Sequence, residues 1–288
     1  MTADAPTWAA LAATDLPDVA ALAGRLRAAD GGLSQTATAS YLAGRYAGDA
    51  VTARGARDAG GALVAAGSVR PGPHGPLVTG MVDPAARGRG LGAALLDWAL
   101  ATAEGAVTVE TEGLTGPAAD LFASRGLRQV FAEDVRRLGL VGPPPEVALP
   151  AGVRLEPWSA DAAPRFFAVY SAAFAERPGF PGWPAARWIG QLTDDDEFRP
   201  DWSLLAVDAA AGDVAFITCA LGWIDQVGVR PDQRRRRLGA ALVCEAARRM
   251  RADGQREVLL TVNVDNPAGG LYARLGFDVT ARRARFAR

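Results

Sequence analysis

Arg234, Arg235, Arg236 and Arg237 stand in a row, and Leu238, Gly239 and Ala240 follow them. Four adjacent cations suit a nucleic-acid backbone, a solvated face or a phosphorylated ligand. The small residues behind them favour the third. A helix N-terminus presents unpaired backbone N–H groups and the positive end of its dipole. A strand, a loop and a first helical turn of small residues together make an anion site. Gly239 and Ala240 leave room for a pyrophosphate to approach the backbone, and arginine adds long-range attraction and further donors.

Composition narrows the choice. The 288 residues carry a net charge of −1, whereas dedicated nucleic-acid binders carry a basic surplus. No nucleic-acid partner is expected. All 31 basic residues are arginine, which beside the abundant Ala and Gly reads as coding bias from a GC-rich genome. His74 is the one histidine, in the Pro/Gly-rich "RPGPHGP". Ser-His-Asp catalysis and histidine-based zinc sites are therefore not expected. Cys219 and Cys244 are too few for a disulfide framework or a metal set. The N-terminus "MTADAPTWAALAATDLPDV" has early acids and no basic stretch, unlike a secretory leader. No run of 18 apolar residues suggests a membrane helix. The expectation is a soluble cytoplasmic protein, monomer or homodimer, with no membrane partner.

An internal repeat organises the chain. "LGAAL" occurs at 91–95 and again at 238–242. Upstream, "VDPAARGRG" (82–90) matches "VRPDQRRRR" (229–237). Downstream, "GPAADLFASRGL" (116–127) matches "NPAGGLYARLGF" (266–277). Leu91 and Leu238 are 147 residues apart, and Gly116 and Asn266 are 150 apart. Two elements in one order at nearly one offset indicate a duplicated domain. "GLVGPPPEVALPAG" (139–152) reads as a stiff connector. The expected division is an N-terminal domain over 1–141, a linker over 142–149 and a C-terminal domain over 150–288.

The second copy shows the elements most cleanly. "GVRLEPW" (152–158) alternates as a strand. Ser159 caps a helix through "ADAAPRFFAVYSAAFA", and a second helix runs through "WPAARWIGQL". "SLLAVD" and "DVAFITCAL" form a hairpin. "WIDQVGV" (223–229) is a strand that stops at Pro231. A helix over 238–253 follows, with Gly254 past its end. "REVLLTVNV" is a buried strand, and Asn266 with Pro267 starts a short helix through Leu275. "GFDVTARRARF" is expected to close the second domain. Antiparallel strands followed by a βαβ unit make a mixed α/β sheet, mostly antiparallel and flanked by helices, in each of two tandem domains.

Strand, V-x-P, then R/Q-x-x-G-x-G/A opening a helix resembles the acyl-CoA pyrophosphate loop of the GNAT acyltransferases. "RGRGLG" (87–92) matches it in full. "RRRRLG" (234–239) matches at Arg234 and Gly239 but carries Arg237 where the family has glycine. "NPAGGLYARLGF" resembles the family's N-P-A…L-Y-x-x-x-G-F helix. The resemblance implies acetyl-CoA as co-substrate and a small-molecule amine as acceptor. It puts the pantetheine along Val227, Gly228 and Val229, the pyrophosphate on Arg234 to Ala240, and Asn266 on the cofactor's other side. The matching N-terminal set is Met81, Val82, Arg87, Gly88, Gly90, Gly92 and Ala93. Tyr272 matches the tyrosine that protonates the departing thiolate, a role suited to a phenol of pKa about 10. Asp225, on the central strand, is the candidate base; alternatively it fixes a loop or pairs with the substrate amine. Alternation puts it on one face with Trp223, Val227 and Val229.

The copies differ. Phe122, Gly116 and Val78 replace Tyr272, Asn266 and Asp225. The expectation is a catalytic C-terminal copy and a degenerate N-terminal one. The region "DDDEFRPDWSLLAVD" looks like that of tandem GNAT proteins such as mycothiol synthase, which acetylates a cysteinyl-aminosugar. A rival reading is a non-catalytic acyl-CoA-binding regulator, supported by Arg237, whose side chain strains the loop if φ is positive there. The Pro/Gly-rich 172–184 segment is a candidate acceptor gate or an ordinary connector. "TDDDE" (193–197) is a charge run. Trp183, Trp188, Trp202 and Trp223 read as core or cleft wall.

Overall fold

The computed structural model describes residues 5–177 and 179–288. Met1–Asp4, where the leader reading begins, and Pro178, within the 172–184 segment, lie outside the described residues. Two compact units emerge. Unit 1 comprises Met1–Val135, Val262–Asp265 and Val279–Arg288; unit 2 comprises Arg136–Thr261 and Asn266–Asp278.

Unit 1 begins with β1 (Thr7–Ala10), α1 (Leu16–Asp30) and α2 (Ala39–Tyr46). Strands β2 (Thr52–Arg57), β3 (Leu63–Arg70) and β4 (Leu77–Val82) form a meander, followed by α3 (Leu91–Thr102), β5 (Thr108–Thr111) and α4 (Gly116–Ser124). Strand β6 (Arg128–Gly139) passes from unit 1 into unit 2. Unit 2 continues with β7 (Val153–Pro157), α5 (Ala163–Phe174), α6 (Ala185–Thr193), β8 (Leu204–Asp208), β9 (Gly212–Ala220) and β10 (Trp223–Val229). Then come α7 (Leu238–Ala252), β11 (Glu257–Asn263), α8 (Ala268–Arg274) and β12 (Asp278–Ala287).

The sheets are mixed and mostly antiparallel. Unit 1 runs β1-β2-β3-β4-β5-β12-β6, and unit 2 runs β6-β11-β10-β9-β8-β7. The β4–β5 and β10–β11 pairs are parallel, each joined by a helix. β9 is apolar on both faces because helices cover both: seven of its residues from Val214 to Ala220 are buried. On one face Phe166, Tyr170 and Trp188 pack against Phe216. Tyr170 stacks on Trp188 with centroids 4.7 Å apart. Ser159 accepts a hydrogen bond from the Ala162 N–H at 3.1 Å in the turn ahead of α5, whose N-cap is Ala162 and not the expected Ser159.

One expectation changes. β12 does not close the unit that precedes it in sequence. Its residues Ala284 to Ala287 pair antiparallel with Thr111 to Thr108 of β5, in unit 1. The Leu114 N–H donates to the Arg282 carbonyl at 2.7 Å. In return, the end of β6 lies beside β11 in unit 2, where the Leu140 N–H bonds the Arg256 carbonyl at 2.8 Å. Gly31 makes room for the exchanged strand: at φ +75°, a Cβ there would fall 2.4 Å from the Thr280 carbonyl oxygen. Local alternation identifies a strand but is silent on a partner more than a hundred residues away.

Candidate active site

Both loops adopt one backbone shape. In unit 1, Gly88 and Gly90 have φ of 77° and 79°, and Gly90 caps α3. In unit 2 the same two positions are Arg235 and Arg237, with φ of 65° and 63°, and Arg237 caps α7. Left-handed backbone costs a non-glycine residue about 1–2 kcal/mol. The strain anticipated for Arg237 is present. A second strained arginine, Arg235, was not anticipated, since the family motif leaves that position open.

The four arginines divide by role. Arg234 donates to Glu176 and to the Ala173 carbonyl, both at 3.2 Å, tying the loop to the end of α5. Arg87 does the same in unit 1, gripping Asp30 at the end of α1 with both nitrogens. Arg236 donates to Asp208 at 2.7 Å. With the Ala210 and Ala211 N–H groups also bonded to it, the Asp208 carboxyl falls to about 2. Arg235 and Arg237 are exposed and pair with no carboxylate among the described residues. Leu238 is buried and anchors α7 in the core, and Ala240 turns its methyl inward, so both offer only backbone to a ligand. A Cβ on Gly239 would meet Val229 and Leu271 at 3.7 and 3.9 Å, ordinary contacts. Nothing in the protein requires glycine there. The equivalent Gly92 is the same, with Leu121 at 3.5 Å. Ala93 is half-buried beside it.

The strand leading to the loop is open on one edge. β10 pairs with β9 along its length except at Asp225, but among the described residues it pairs with β11 only at Trp223 and Leu259. Past that point, among the described residues, the edge of β10 facing β11 has no ladder partner. In unit 1 the parting comes after three pairs, ending at Thr79 and Glu110, ahead of Met81 and Val82. Gly228 owes its identity to packing on the other side: a Cβ would come 2.6 Å from Phe216 and 2.9 Å from Ala173.

Asp225 is the extra residue of a β-bulge. Ile224 opposes Cys219 and Gln226 opposes Thr218, leaving Asp225 unmatched. The bulge corrects the alternation argument. Directly opposed residues share a face. Val227 and Val229, opposite Ile217 and Ala215, lie on the face of Ile224; Trp223, opposite Ala220, lies on the other. Asp225 is exposed, yet protein packed around its carboxyl and the negative charges of Asp195 and Glu197 push it up to about 7. The "TDDDE" run thus acts on this carboxyl. Trp188 donates its indole N–H to Gln226 at 3.1 Å, and Trp202 donates to Asp253 at 2.6 Å. Both rings are buried core.

Tyr272 sits on α8, which follows the parallel neighbour of β10. It is buried against Phe277, and burial raises its hydroxyl to about 12. Among the described residues that hydroxyl makes no hydrogen bond, so its proton is free to be donated. The Asn266 carboxamide oxygen accepts from the Ala268 N–H at 2.9 Å and holds the start of α8.

Unit 1 has no counterpart of Asp225: β4 pairs with β3 without a bulge, and by register Val78, in the core, matches Ile224. Phe122, at the position of Tyr272, packs against Phe286, 4.9 Å between centroids. Unit 1 holds other polar groups that the repeat comparison passed over. Tyr41, Arg45, Glu110 and Glu112 line a cavity, and Tyr41 donates to Glu112 at 2.8 Å. By strand register the second copy has Thr261 and Asn263 where Glu110 and Glu112 stand. A carboxylate at a strand position where the partner copy is uncharged was the available signal.

A parallel strand pair that parts beside a positively charged loop and a helix N-terminus, present twice, marks an acyl-transfer scaffold. The chain belongs to the acetyltransferase (GNAT) family, whose model matches residues 37–127 and again 183–277. It is an N-acetyltransferase with two tandem domains of that family. It is similar to a mycothiol acetyltransferase of Clavibacter michiganensis, 36% identical over 227 residues that cover 71% of each chain. Among solved structures, a GCN5-related N-acetyltransferase from Sphaerobacter thermophilus is 25% identical with a TM-score of 0.75, over 98% of this chain and 95% of that one. A tandem GNAT protein from the clavulanic acid biosynthesis pathway shares the fold at 21% identity, with a TM-score of 0.62 over 99% and 98%. Among the described residues no helix is long and apolar enough to cross a membrane.

Proposed function

We propose that unit 2 moves an acetyl group from acetyl-CoA to the primary amine of a small molecule, by direct attack of the amine. The observation that carries this reading is the bulged Asp225 beside the open edge of β10. Acetyl-CoA supplies the activated acyl carbon. The N–H groups at the start of α7 and the unpaired cations of Arg235 and Arg237 receive its pyrophosphate. The free edge of Val227 to Val229 receives the pantetheine amides, and α8, held by Asn266, borders the other side. Room over Gly239 that no protein atom needs fits such a ligand.

Asp225, raised to about 7, is ionised in about half the molecules at neutral pH and takes the proton of the attacking amine, directly or through water. Tyr272 holds its proton up to about 12 and gives it to the departing thiolate. Unit 1 keeps the loop and has neither group, so it binds without turning over. Turnover of Tyr272→Phe and Arg87→Ala, measured separately, tests the division. Tyr272→Phe should lose most activity and Arg87→Ala little; the reverse pattern sinks the assignment.

A cysteinyl-aminosugar acceptor is a second, narrower reading, supported by the 36% identity to a mycothiol acetyltransferase. Half-buried Phe180 and Trp183, packed against the Tyr170–Trp188 stack, suit the apolar face of a sugar. Assaying that acceptor beside a panel of simple amines decides between them. Binding of acetyl-CoA without thiol release for every acceptor would favour the regulator.

A further inference from the structure

Folded proteins leave few buried polar atoms without a hydrogen-bond partner, and each such atom calls for a cause. Tyr46 OH, Ser68 Oγ, Arg70 Nε and Thr79 Oγ1 are four, all in unit 1. They share one face of its sheet. Ser68 and Arg70 are two apart on β3, and Thr79 stands opposite Ser68 in antiparallel register. Tyr46 ends α2 and packs on Ala66, two residues before Ser68.

Tyr46 and Thr79 line the unit 1 cavity. Tyr46 is only 2% exposed. The cavity is lined by Leu95, Leu96 and Ala99 of α3 and by Ala23, Leu26 and Leu42 of α1 and α2. Those helices cover opposite faces of the sheet: α3 packs with Val78, and α1 and α2 pack with Ala66 and Met81. The cavity therefore crosses the sheet, and the place for it is where β4 and β5 part beyond Thr79. Arg87 and Gly92 of the loop line it, as do Tyr41, Arg45 and Glu112.

The charged lining is balanced, Arg27, Arg45 and Arg87 against Asp30, Glu110 and Glu112. Glu112 is already served by the Tyr41 hydroxyl and by Arg283 at 2.5 Å. Arg45 lies 4.0 Å from it and stacks 3.6 Å over the Tyr41 ring, with donors to spare. Arg70 and Arg285 both hold Glu110, and Arg283 also reaches Glu133 at 3.4 Å. Orphaned hydroxyls and the spare guanidinium donors of Arg45 call for a ligand group rich in acceptor oxygen, which a carboxylate supplies.

We propose that unit 1 binds an acyl-CoA whose acyl chain ends in a carboxylate, with that carboxylate between Arg45 and Tyr46 and the Thr79 hydroxyl beside the chain. The CoA end rests on the reading of the Arg87–Gly92 loop as a pyrophosphate cradle. With no counterpart of Asp225 and with Phe122 in place of Tyr272, the site holds the ligand without transfer.

Isothermal titration of the full chain with succinyl-CoA and with acetyl-CoA tests this. Succinyl-CoA should bind the unit 1 site more tightly than acetyl-CoA. Arg45→Met and Tyr46→Phe should each weaken succinyl-CoA there by about tenfold or more, the size of a charge-assisted hydrogen bond, and leave acetyl-CoA unchanged. Tyr46→Phe removes a hydroxyl with no protein partner, so the fold survives it; a thermal melt confirms this. Equal affinity for the two thioesters, or equal weakening of both by the variants, overturns the carboxylate site while leaving the loop reading intact. Arg87→Ala should weaken both thioesters at the unit 1 site. If both titrations are unaltered by it, the loop reading fails and the proposal with it.

Discussion

Side chains in the active-site loop of unit 2 pull stability and function in opposite directions. Arg235 and Arg237 hold left-handed backbone where unit 1 has glycine. Replacing both with glycine should raise the unfolding free energy by about 1 kcal/mol per site, visible as a higher urea midpoint. The same change removes two unpaired cations and should weaken acetyl-CoA binding. Arg236→Ala should instead lower the melting temperature, because Asp208 loses its guanidinium. Asp225 couples function and stability through pH. Its folded-state pKa of about 7 lies above the ordinary 3.8, so protonation favours the folded state. That contribution is complete below the ordinary value and is lost as pH rises through about 7. Asp225→Asn should therefore be more stable than the parent at pH 8, by about 1 kcal/mol once solvent screening of an exposed group is allowed for. It should also lose about 100-fold or more in turnover, along with the rise of kcat/KM through pH 7. Unchanged turnover across that range would remove Asp225 from the mechanism. Arg237 was legible because a glycine stood opposite it in the other copy and in the family motif. Arg235 was passed over because the motif is indifferent there, although Gly88 stands opposite it in the other copy.

Among elements, β10 combines a tight face with an open edge. Gly228 has Phe216 and Ala173 against it, and forcing a methyl into that space should cost about 1–3 kcal/mol. Gly228→Ala should unfold at lower denaturant and lose activity in parallel, whereas Gly239→Ala should keep its stability and lose acetyl-CoA affinity. A normal Kd for Gly239→Ala would argue against a pyrophosphate over α7. The existence of these elements was plain from alternation, helical period and turn residues. The parting of β10 from β11 was not, because it depends on hydrogen bonds that are absent, and no residue type announces an absent bond. Nor was the bulge: one unmatched residue changes neither composition nor the apolar pattern, yet it reverses which face Trp223 occupies relative to Val227.

At the scale of the whole chain, duplication was legible and the exchange of strands was not. Both halves carry the same motifs in the same order, which suggested a division near residue 141. The structure gives β12 to unit 1 and the end of β6 to unit 2. Expressed alone, residues 1–141 should leave β5 with an unpaired edge, and such edges aggregate. That fragment should be insoluble or lack a cooperative melt, and co-expression with residues 142–288 should restore it. A soluble, cooperatively melting fragment would show that β12 is dispensable. Gly31→Val should harm the intact chain in the same way, because its side chain would meet the Thr280 carbonyl.

The exchanged strand also sets a schedule for biosynthesis. Domains emerging from a ribosome generally fold in order, N-terminal first. Here unit 1 has nearly all its residues by Val135 but must wait for 279–288 before its sheet is complete. A nascent chain stalled midway through unit 2 therefore displays an unfinished first unit. Translation speed through the second half, or a chaperone guarding β5 meanwhile, governs the yield of the first.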